Sequence, residues 1–402
     1  MNDASILGQV AMCYSAFIDR NRAVSATRLT VFPMRPDAPP DVHQLLATLA
    51  EVWPPDGGRV SLNIASEALL SDLLRVPSNA NMMIEVPSFM AADPVHREAL
   101  QALHAAGSVL LLKGRPASEL PREVLPCFTY AIIDLSEDRR VNEAPPSPAT
   151  AAGRTIGCVV SGIRTIADMQ AAFDRGAAAV LGWPLDDPAA AKGRSGRAVG
   201  QADLQVIVEL IHRVDREEPV ARLEQTLRRD PTLAFKLLRY INSPALGLRV
   251  EISSFAHAIM MLGHRKLKRW LAVLLATASK DPNLKPVMFA AVRRGLLLEE
   301  LAKLVGDEEM RNEMFICGVF SLLDRIFNQS FAELLKTIPV PERVVQALID
   351  HSGPYQPYVE LANAVEGQSL HDIRAAADGL LLGIAEINRA QLGALAAAAQ
   401  LE

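Results

Sequence analysis

The sequence predicts two domains of different fold class: an α/β domain, a modified (β/α)8 barrel, in residues 1–188, and an all-helical domain in residues 202–402, joined by a linker at residues 189–201. Three observations predict this division. Short segments rich in Val, Ile and Leu alternate with amphipathic helical segments in the first half. A tract from Asp186 to Asp203 is rich in Ala, Gly, Arg and Ser, and only helical periodicity follows it. A length of 402 residues agrees with two domains of ordinary size.

Eight strand-like segments supply the predicted barrel: Gln9–Ser15, Val24–Phe32, Arg59–Ile64, Met82–Val86, Ser108–Leu112, Tyr130–Asp134, Thr155–Val160 and Ala178–Trp183. Five amphipathic helices are predicted between them: Asp41–Val52, Ser66–Leu74, Asp93–Ala105, Ala117–Leu125 and Thr165–Arg175. The first two strands are too close for a crossover helix, so they should form a hairpin around the turn at Asp19–Arg22. A doubly wound open sheet is the alternative that the same pattern allows.

The helical domain is organised around Arg229–Gly263. Asp230-Pro231 is a typical helix start, because the carboxylate accepts from free backbone N–H groups and proline loses no needed donor. Asn242-Ser243-Pro244 ends that helix, Ser253-Ser254 begins the next one, and Gly263 is expected to close it with a positive φ.

Composition excludes several classes of function. The net charge of −5 argues against a general nucleic-acid binder, which carries a basic surface. Apolar runs are far shorter than the roughly 20 residues of a membrane span, and no leader-like segment opens the chain. Four scattered cysteines, without a metal-type spacing, are typical of reduced thiols, so the sequence predicts a cytoplasmic protein.

The DPxL start, the LLRxxNSxxxG turn and the ISSxxxAIxxLG segment together resemble the HDOD domain, an all-helical signalling module related to metal-dependent HD phosphohydrolases. The resemblance covers roughly Gln201 to the C-terminus. It implies that Ser321-Leu322 stands where those hydrolases carry their metal-binding His-Asp pair, so no metal site is expected. A true pair, His371-Asp372, lies elsewhere and is interpreted as a helix-capping element beside Ser369.

The segments IDRNRAVSATRL, RVSLNIASEALL, MMIEVPSF, AIIDLS and GAAAVLGWPLDDP resemble the EAL domain, the barrel of cyclic-di-GMP phosphodiesterases. In that family, divalent metals are held by carboxylates and an Asn at the C-terminal ends of the strands. The resemblance matches Asn63, Glu85 and Asp134 to metal-binding or catalytic positions of that site.

Other positions of the family's site have changed. Arg28 stands where the resemblance places the Glu that names the family, Leu112-Lys113 replaces paired aspartates, and Arg164 replaces another Glu. Ile132 and Leu181 replace the catalytic Lys and a Gln. Positive charge in place of anionic ligands repels metal ions, so we expect no metal, no cofactor and no catalytic residue.

Two interpretations of the new charges stay open. Arg28, Lys113 and Arg164 either pair with Glu85 and Asp134 as an internal salt-bridge cluster or meet an anionic ligand, for which cyclic-di-GMP is the candidate. The internal cluster is favoured, because leftover carboxylates beside new cations pair readily.

The function predicted from the sequence is a non-catalytic signalling scaffold or regulator of the cyclic-di-GMP-linked type, which binds other signalling proteins through its HDOD domain. The alternatives are a metal-independent cyclic-di-GMP-binding effector and an active phosphodiesterase. A purely structural role for the helical domain, as a homodimer contact or a support for the barrel, is a further alternative. The basic segment His264–Trp270 is interpreted as a solvated face above a buried stripe. The predicted interaction face consists of Arg239, Asn242, Ser243, Arg249 and Lys268.

Overall fold

The structure is a computed structural model that describes residues 6–138 apart from 36, 39, 55, 56 and 118, residues 156–186, 201–227, 233, 236, 237, 240 and 255–399. It divides into two compact units. The first consists of residues 1–187 and 363–392, and the second of residues 188–362 and 393–402. Residues 187–200, which contain nearly all of the predicted linker, lie outside the described part of the chain.

The assignment of residues 363–392 to the barrel unit differs from the predicted boundary, which placed everything after residue 201 in one helical domain. The reason is a set of buried hydrogen bonds between positions far apart in sequence. The amide nitrogen of Asn388 donates to the backbone oxygens of Leu7 and Val10, each at 2.7 Å. The hydroxyl of Tyr14 donates to Glu366 at 3.4 Å.

The first unit is built on a closed barrel in which the eight strands follow one another in chain order. The strands are β1 (Val10–Asp19), β2 (Val24–Pro33), β3 (Val60–Ile64), β4 (Met82–Pro87), β5 (Val109–Lys113), β6 (Phe128–Asp134), β7 (Gly157–Ile163) and β8 (Ala179–Gly182). Strand β1 is antiparallel to both β2 and β8, and all other neighbours are parallel. The predicted modified barrel is therefore confirmed, and closure excludes the open sheet.

The hairpin between β1 and β2 is also confirmed. One carboxylate oxygen of Asp19 accepts from the backbone N–H groups of Asn21 and Ala23, at 2.8 and 2.9 Å. Arg22 adopts a φ of 64°, which the tight turn requires. An antiparallel pair needs only such a short turn, so the barrel begins without a crossover helix.

Helices of the barrel unit begin mostly at the side chains that the sequence indicated. Asp41, Ser66 and Thr165 cap their helices by accepting from backbone N–H groups. The helices are Ile6–Gln9, Val42–Val52, Glu67–Leu73, Ser88–Ala92, Arg97–Ala105, Ile166–Asp174 and Leu370–Leu380. The predicted helix Ala117–Leu125 is wrong: among the described residues of this segment no α-helix forms, and a 3-10 turn, Leu125–Cys127, begins at its end. Pro121 inside the segment removes a backbone donor that a continuous helix needs.

The interior of the barrel is filled by one apolar cluster to which seven of the eight strands contribute. Its members are Phe17, Ala26, Met83, Leu111, Ile132, Val159 and Leu181. Because Phe17 lies opposite both Ala26 and Leu181 in the strand register, these side chains form a layer across the barrel. This level of the barrel is therefore packed hydrophobic core.

The second unit is helical throughout its described part. Its helices are Gln201–Asp215, Val220–Leu227, Phe255–Ala276, Lys285–Val305, Glu308–Phe320, Leu323–Phe327, Phe331–Leu334 and Glu342–Leu348, and the later helices of the chain are Gln356–Glu366 and Ile384–Ala399. None of the described helices combines the length and apolar character needed to cross a membrane.

The apolar stripes predicted around the organising segment are buried. Leu233 and Leu237 are 3% and 0% exposed, and Ile259 is 1% exposed. Gly263 has φ 69° and ψ 168°, so the predicted positive φ is present, but the helix continues beyond it with a kink. Asp230-Pro231, Asn242-Ser243-Pro244 and Ser253-Ser254 lie outside the described residues.

Candidate functional site

The centre of the barrel mouth is a buried ion pair between β2 and β4. The guanidinium of Arg28 donates to both carboxylate oxygens of Glu85, with Nε–Oε1 at 2.8 Å and Nη2–Oε2 at 2.6 Å. Ser61 on β3 adds a hydrogen bond from its hydroxyl to Oε1 of Glu85 at 3.0 Å. The side chains of Arg28 and Glu85 are only 3% and 0% exposed. Both oxygens of the carboxylate are thus occupied by this chain's own donors.

A second polar chain runs beside this pair. The ammonium of Lys113, at the end of β5, donates to Oδ1 of Asn63 at 2.7 Å. The amide nitrogen of Asn63 donates in turn to the hydroxyl of Thr30 at 3.0 Å, and the two residues are register partners on β3 and β2. Burial lowers the pKa of Lys113, the positive charge of Arg28 lowers it further, and Glu85 opposes both effects.

Asp134 lies at the end of β6 and caps a turn there. Its Oδ1 accepts from the backbone N–H of Ser136 at 3.0 Å and from the Ser136 hydroxyl at 2.6 Å. These bonds cap the 3-10 turn Leu135–Glu137 at the surface. Ser161 Oγ is 3.5 Å from its other oxygen. The carboxylate is exposed and is not hydrogen-bonded to Glu85 or Asn63.

Arg164 lies at the protein surface, where its Nε donates to Asp186 at 2.6 Å. The two side chains are 77% and 52% exposed. This geometry corrects the expected internal cluster: Arg28 does pair with Glu85, whereas Arg164 and Asp134 have other partners. The physical reason is that Arg164 follows the end of β7 and is exposed to solvent, where it pairs with Asp186.

Two positions that the EAL resemblance assigns to the family's site are part of the apolar interior. Ile132 and Leu181, which replace the Lys and the Gln, are 2% and 1% exposed and belong to the cluster that fills the barrel. Neither side chain can donate or accept a proton. At these two positions the barrel wall is therefore hydrophobic, whereas Arg28, Glu85 and Lys113 keep other positions of the site charged.

The sequence reasoning missed the partners Thr30, Ser61 and Asp186. For two of them a signal was available. Arg28 and Thr30 are separated by two positions on one strand, and so are Ser61 and Asn63, so each pair points to the same face. Polar residues at alternate positions of otherwise apolar strands indicate an internal polar network.

Residues of the barrel mouth do not fit the pair of metal ions that an EAL site holds. Both oxygens of Glu85 accept from Arg28, and the oxygen of Asn63 accepts from Lys113. No group of three His, Cys, Asp or Glu residues within the described ranges could hold a metal ion. Divalent cations need oxygen ligands that are not engaged by cationic donors. We therefore infer no metal-dependent chemical step at this site.

In the helical unit, the HDOD resemblance places Ser321 and Leu322 where HD hydrolases bind metal. The hydroxyl of Ser321 donates to the backbone oxygen of Gly318 at 2.7 Å and accepts from Arg294 at 3.3 Å. Leu322 is 4% exposed. These contacts stabilise the end of the helix Glu308–Phe320 and supply no set of ligands.

The pair His371-Asp372 lies at the start of the helix Leu370–Leu380. Ser369 caps this helix by accepting from the backbone N–H of Asp372 at 3.2 Å. The side chains of His371 and Asp372 are 90% and 64% exposed. This geometry is that of a helix N-terminus and agrees with the capping interpretation.

Of the predicted interaction face, only Lys268 belongs to the described residues, and Arg239, Asn242, Ser243 and Arg249 lie outside them. The ammonium of Lys268 pairs with Asp215, and its side chain is only 21% exposed. Lys268 is therefore tied to its own domain, which corrects the expectation of an exposed contact.

The neighbouring basic segment combines buried apolar residues with neutralised charges. Leu267 and Trp270 are 1% and 4% exposed, as the predicted buried stripe requires. Arg269 makes two bonds of 2.6 Å to the carboxylate of Glu299. Much of the positive charge of this segment is thus balanced by carboxylates.

Residues 203–337 match the HDOD domain family. The predicted HDOD domain is therefore confirmed over these residues.

Two curated relatives are similar to parts of the chain. The uncharacterized protein YuxH of Bacillus subtilis is 29% identical over 168 residues, which is 40% of this chain and 40% of that protein. The cyclic di-GMP phosphodiesterase CdgJ of Vibrio cholerae is 27% identical over 150 residues, which is 37% of this chain and 35% of that protein. The matched segments span less than half of either relative.

Among solved structures, the EAL enzyme Bd1971 in its cGMP-bound form is 14% identical, with a TM-score of 0.32, over 43% of this chain and 60% of that one. A TM-score of this size is too low to assign a fold or a function. The closed barrel is established by the strand pairing itself.

Proposed function

We propose that this protein is a non-catalytic signalling protein of the cyclic-di-GMP-linked type, in which the barrel hydrolyses no dinucleotide and the HDOD domain binds protein partners. The observation that carries the proposal is the two-bond pairing of Arg28 with Glu85 in the barrel mouth. A carboxylate at a family metal-site position is saturated by an arginine at another position of the same site.

The energetic cost of opening this pair supports the proposal. Removing the partner of a buried charge costs about 3–5 kcal/mol, because the remaining charge has lost its solvation. A metal ion that approached Glu85 would have to displace Arg28 and would then face the charge of Lys113 as well. The barrel mouth therefore favours its own internal pair over a divalent cation.

The signalling part of the proposal is supported by the HDOD match and by the activity of one relative. The Vibrio cholerae relative is a cyclic di-GMP phosphodiesterase, which suggests the pathway in which this chain acts. In the proposed role, the HDOD domain supplies a docking surface near the turn predicted at Asn242-Ser243-Pro244, and Arg239 and Arg249 are its candidate contacts.

A second candidate is a metal-independent cyclic-di-GMP-binding effector. One observation favours it: the mouth holds two cations, Arg28 and Lys113, against the single carboxylate of Glu85. This excess positive charge also contributes to the lowered pKa of Lys113, and it would favour a phosphate group.

The decisive experiment incubates the purified full-length protein with cyclic-di-GMP and either Mg²⁺ or Mn²⁺. We expect no linear product, and metal-dependent turnover that Glu85→Ala abolishes would refute the proposal. Calorimetry without metal separates the two candidates: binding that Lys113→Gln removes and the exposed-charge control Arg75→Gln retains would favour the effector.

Protein docking is tested separately by affinity capture with the full-length chain. The charge reversals Arg239→Glu and Arg249→Glu should reduce capture of specific partners while the thermal unfolding curve stays unchanged. Capture that is insensitive to both reversals would place the docking surface elsewhere.

A further inference from the structure

The helical unit contains a cavity of about 500 Å³ lined by residues of the helices Phe255–Ala276, Lys285–Val305 and Glu308–Phe320. Its volume lies within the range of about 300–1,000 Å³ that is typical of small-molecule sites. The domain's predicted role as a docking surface does not require an internal space of this size.

Aromatic side chains form a large part of its wall. Trp270, Tyr240, Phe289 and Phe315 all line the cavity. The rings of Tyr240 and Trp270 lie 6.2 Å apart at an angle of 30°. Such walls favour a planar ring, because stacked aromatic pairs gain energy beyond the area they bury.

The charged side chains among the described residues that line the cavity are all positive. Arg269, Lys285 and Arg293 line the cavity, and none of its described lining residues is acidic. Glu299 balances the charge of Arg269 through two bonds of 2.6 Å. The guanidinium of Arg269 also lies 4.1 Å from the centre of the Phe315 ring.

Arg293 is the buried cation at this wall, with only 6% of its surface exposed. Its guanidinium lies 4.4 Å from the centre of the Phe289 ring, and this stacking fixes its orientation. An oriented arginine loses less conformational freedom when it binds an acidic group, and it recognises carboxylates and phosphates through paired bonds.

The phenol of Tyr240 adds a hydrogen-bond donor. Burial raises the pKa of Tyr240 above its ordinary value, the charge of Arg269 lowers it, and Glu299 raises it again. The hydroxyl therefore keeps its proton at neutral pH and can donate to an anionic oxygen.

We propose that this cavity binds a small anionic molecule with a planar unsaturated ring, whose ring packs against Trp270 and Tyr240 and whose acidic group meets Arg293. Nucleotides and aromatic carboxylic acids share this chemistry. The site would give the HDOD domain an input of its own, independent of anything that the barrel mouth binds.

The test uses anilinonaphthalene sulfonate, an aromatic anion that becomes fluorescent in apolar surroundings, titrated into the full-length protein. We expect saturable binding at one site. Arg293→Gln should weaken it about tenfold or more, because a bond between charged groups is lost. The matched control Arg265→Gln removes an equal charge at an exposed position outside the cavity and should leave the affinity unchanged.

Two further measurements test anion binding in the cavity even if Arg293→Gln fails to fold. Val292→Phe places a larger side chain in the cavity wall and should abolish dye binding while cooperative thermal unfolding is retained. Phenylnaphthylamine, the uncharged analogue, should bind the wild-type protein at least about tenfold more weakly than the sulfonate. Equal affinity of the two dyes would overturn the proposal, because the cavity would then select no anion.

Displacement of the dye identifies the source of the ligand. Displacement by adenosine monophosphate supports the site and indicates a nucleotide. Displacement by indole acetate alone supports it and indicates an aromatic carboxylate. If neither molecule displaces the dye, the proposal is overturned. None of these variants changes the barrel, so this result is separate from the test for dinucleotide hydrolysis.

Discussion

The barrel unit and the helical unit both bury arginines, and they do so in different ways. Arg28 in the barrel is matched by Glu85, and the apolar cluster fills the neighbouring interior. Arg293 in the helical unit is stacked on Phe289 at the wall of a cavity whose described lining contains no carboxylate. The comparison teaches that the burial of a cation does not by itself indicate a binding site, and that open space beside the cation is also needed.

The largest effect is expected from breaking the internal pair of the barrel. Glu85→Leu keeps a similar volume but leaves Arg28 buried without its carboxylate, so the free energy of unfolding should fall by about 3–5 kcal/mol. Urea unfolding curves measure this difference.

The double variant Arg28→Met with Glu85→Leu supplies the control. It removes both charges and should recover most of the lost stability, since a buried pair replaced by apolar residues is often neutral. A single variant that costs less than about 1 kcal/mol would show that water reaches the pair and that the barrel mouth is more open than its geometry indicates.

A smaller loss is expected where residues 363–392 join the barrel unit. Asn388→Ala removes the donor for the backbone oxygens of Leu7 and Val10, which then lie buried without it. The free energy of unfolding should fall by about 1–3 kcal/mol. The exposed change Asn363→Ala in the same segment should stay within about 0.5 kcal/mol, and equal losses would argue against the specific role of Asn388.

Helix caps allow the same change to be made in both units. Ser369 caps a helix of the first unit and Asp307 caps the helix Glu308–Phe320 of the second. Replacing either by Ala should cost about 1 kcal/mol in unfolding free energy. His371→Ala should have no measurable effect on stability, and a loss as large as that of Ser369→Ala would refute the capping interpretation.

The lowered pKa of Lys113 predicts a pH-dependent stability of the barrel unit. At pH values below this lowered pKa, the ammonium is charged in both the folded and the unfolded state, and burial penalises the folded one. As the pH rises towards about 10.5, the ordinary value for lysine, the folded state loses its proton first and this penalty disappears.

Wild-type stability should therefore rise relative to Lys113→Met as the pH increases through this window. Urea unfolding at several pH values measures the difference between the two proteins. A difference that is constant with pH would contradict the predicted desolvation of Lys113.

The smallest effect is expected at the exposed counterpart of the barrel pair. Arg164→Ala breaks the ion pair with Asp186, but both groups are largely in solvent. The free energy of unfolding should change by less than about 1 kcal/mol. A loss comparable with that of Glu85→Leu would show that burial does not explain the difference between the two ion pairs.

Much of the fold could be predicted from local patterns. All eight strands were found because alternating or continuous Val, Ile and Leu segments indicate buried strands, and the hairpin followed from the short distance between the first two. The prediction for Ala117–Leu125 failed, because the apolar spacing suggested a helix while Pro121 prevented one. In the candidate site, the sequence identified Arg28 and Glu85 but not the hydroxyls of Thr30 and Ser61 that complete the network.

The sequence by itself determined the order of strands and helices and the HDOD segment, because these depend on residue type and short-range spacing. The tertiary structure alone decided that Arg28 is buried while Arg164 is exposed, and that Asn388 binds the backbone near Val10. It alone also formed the cavity beside Arg293. These features depend on the directions of side chains that are brought together from distant positions, which no local pattern of hydrophobicity or charge specifies.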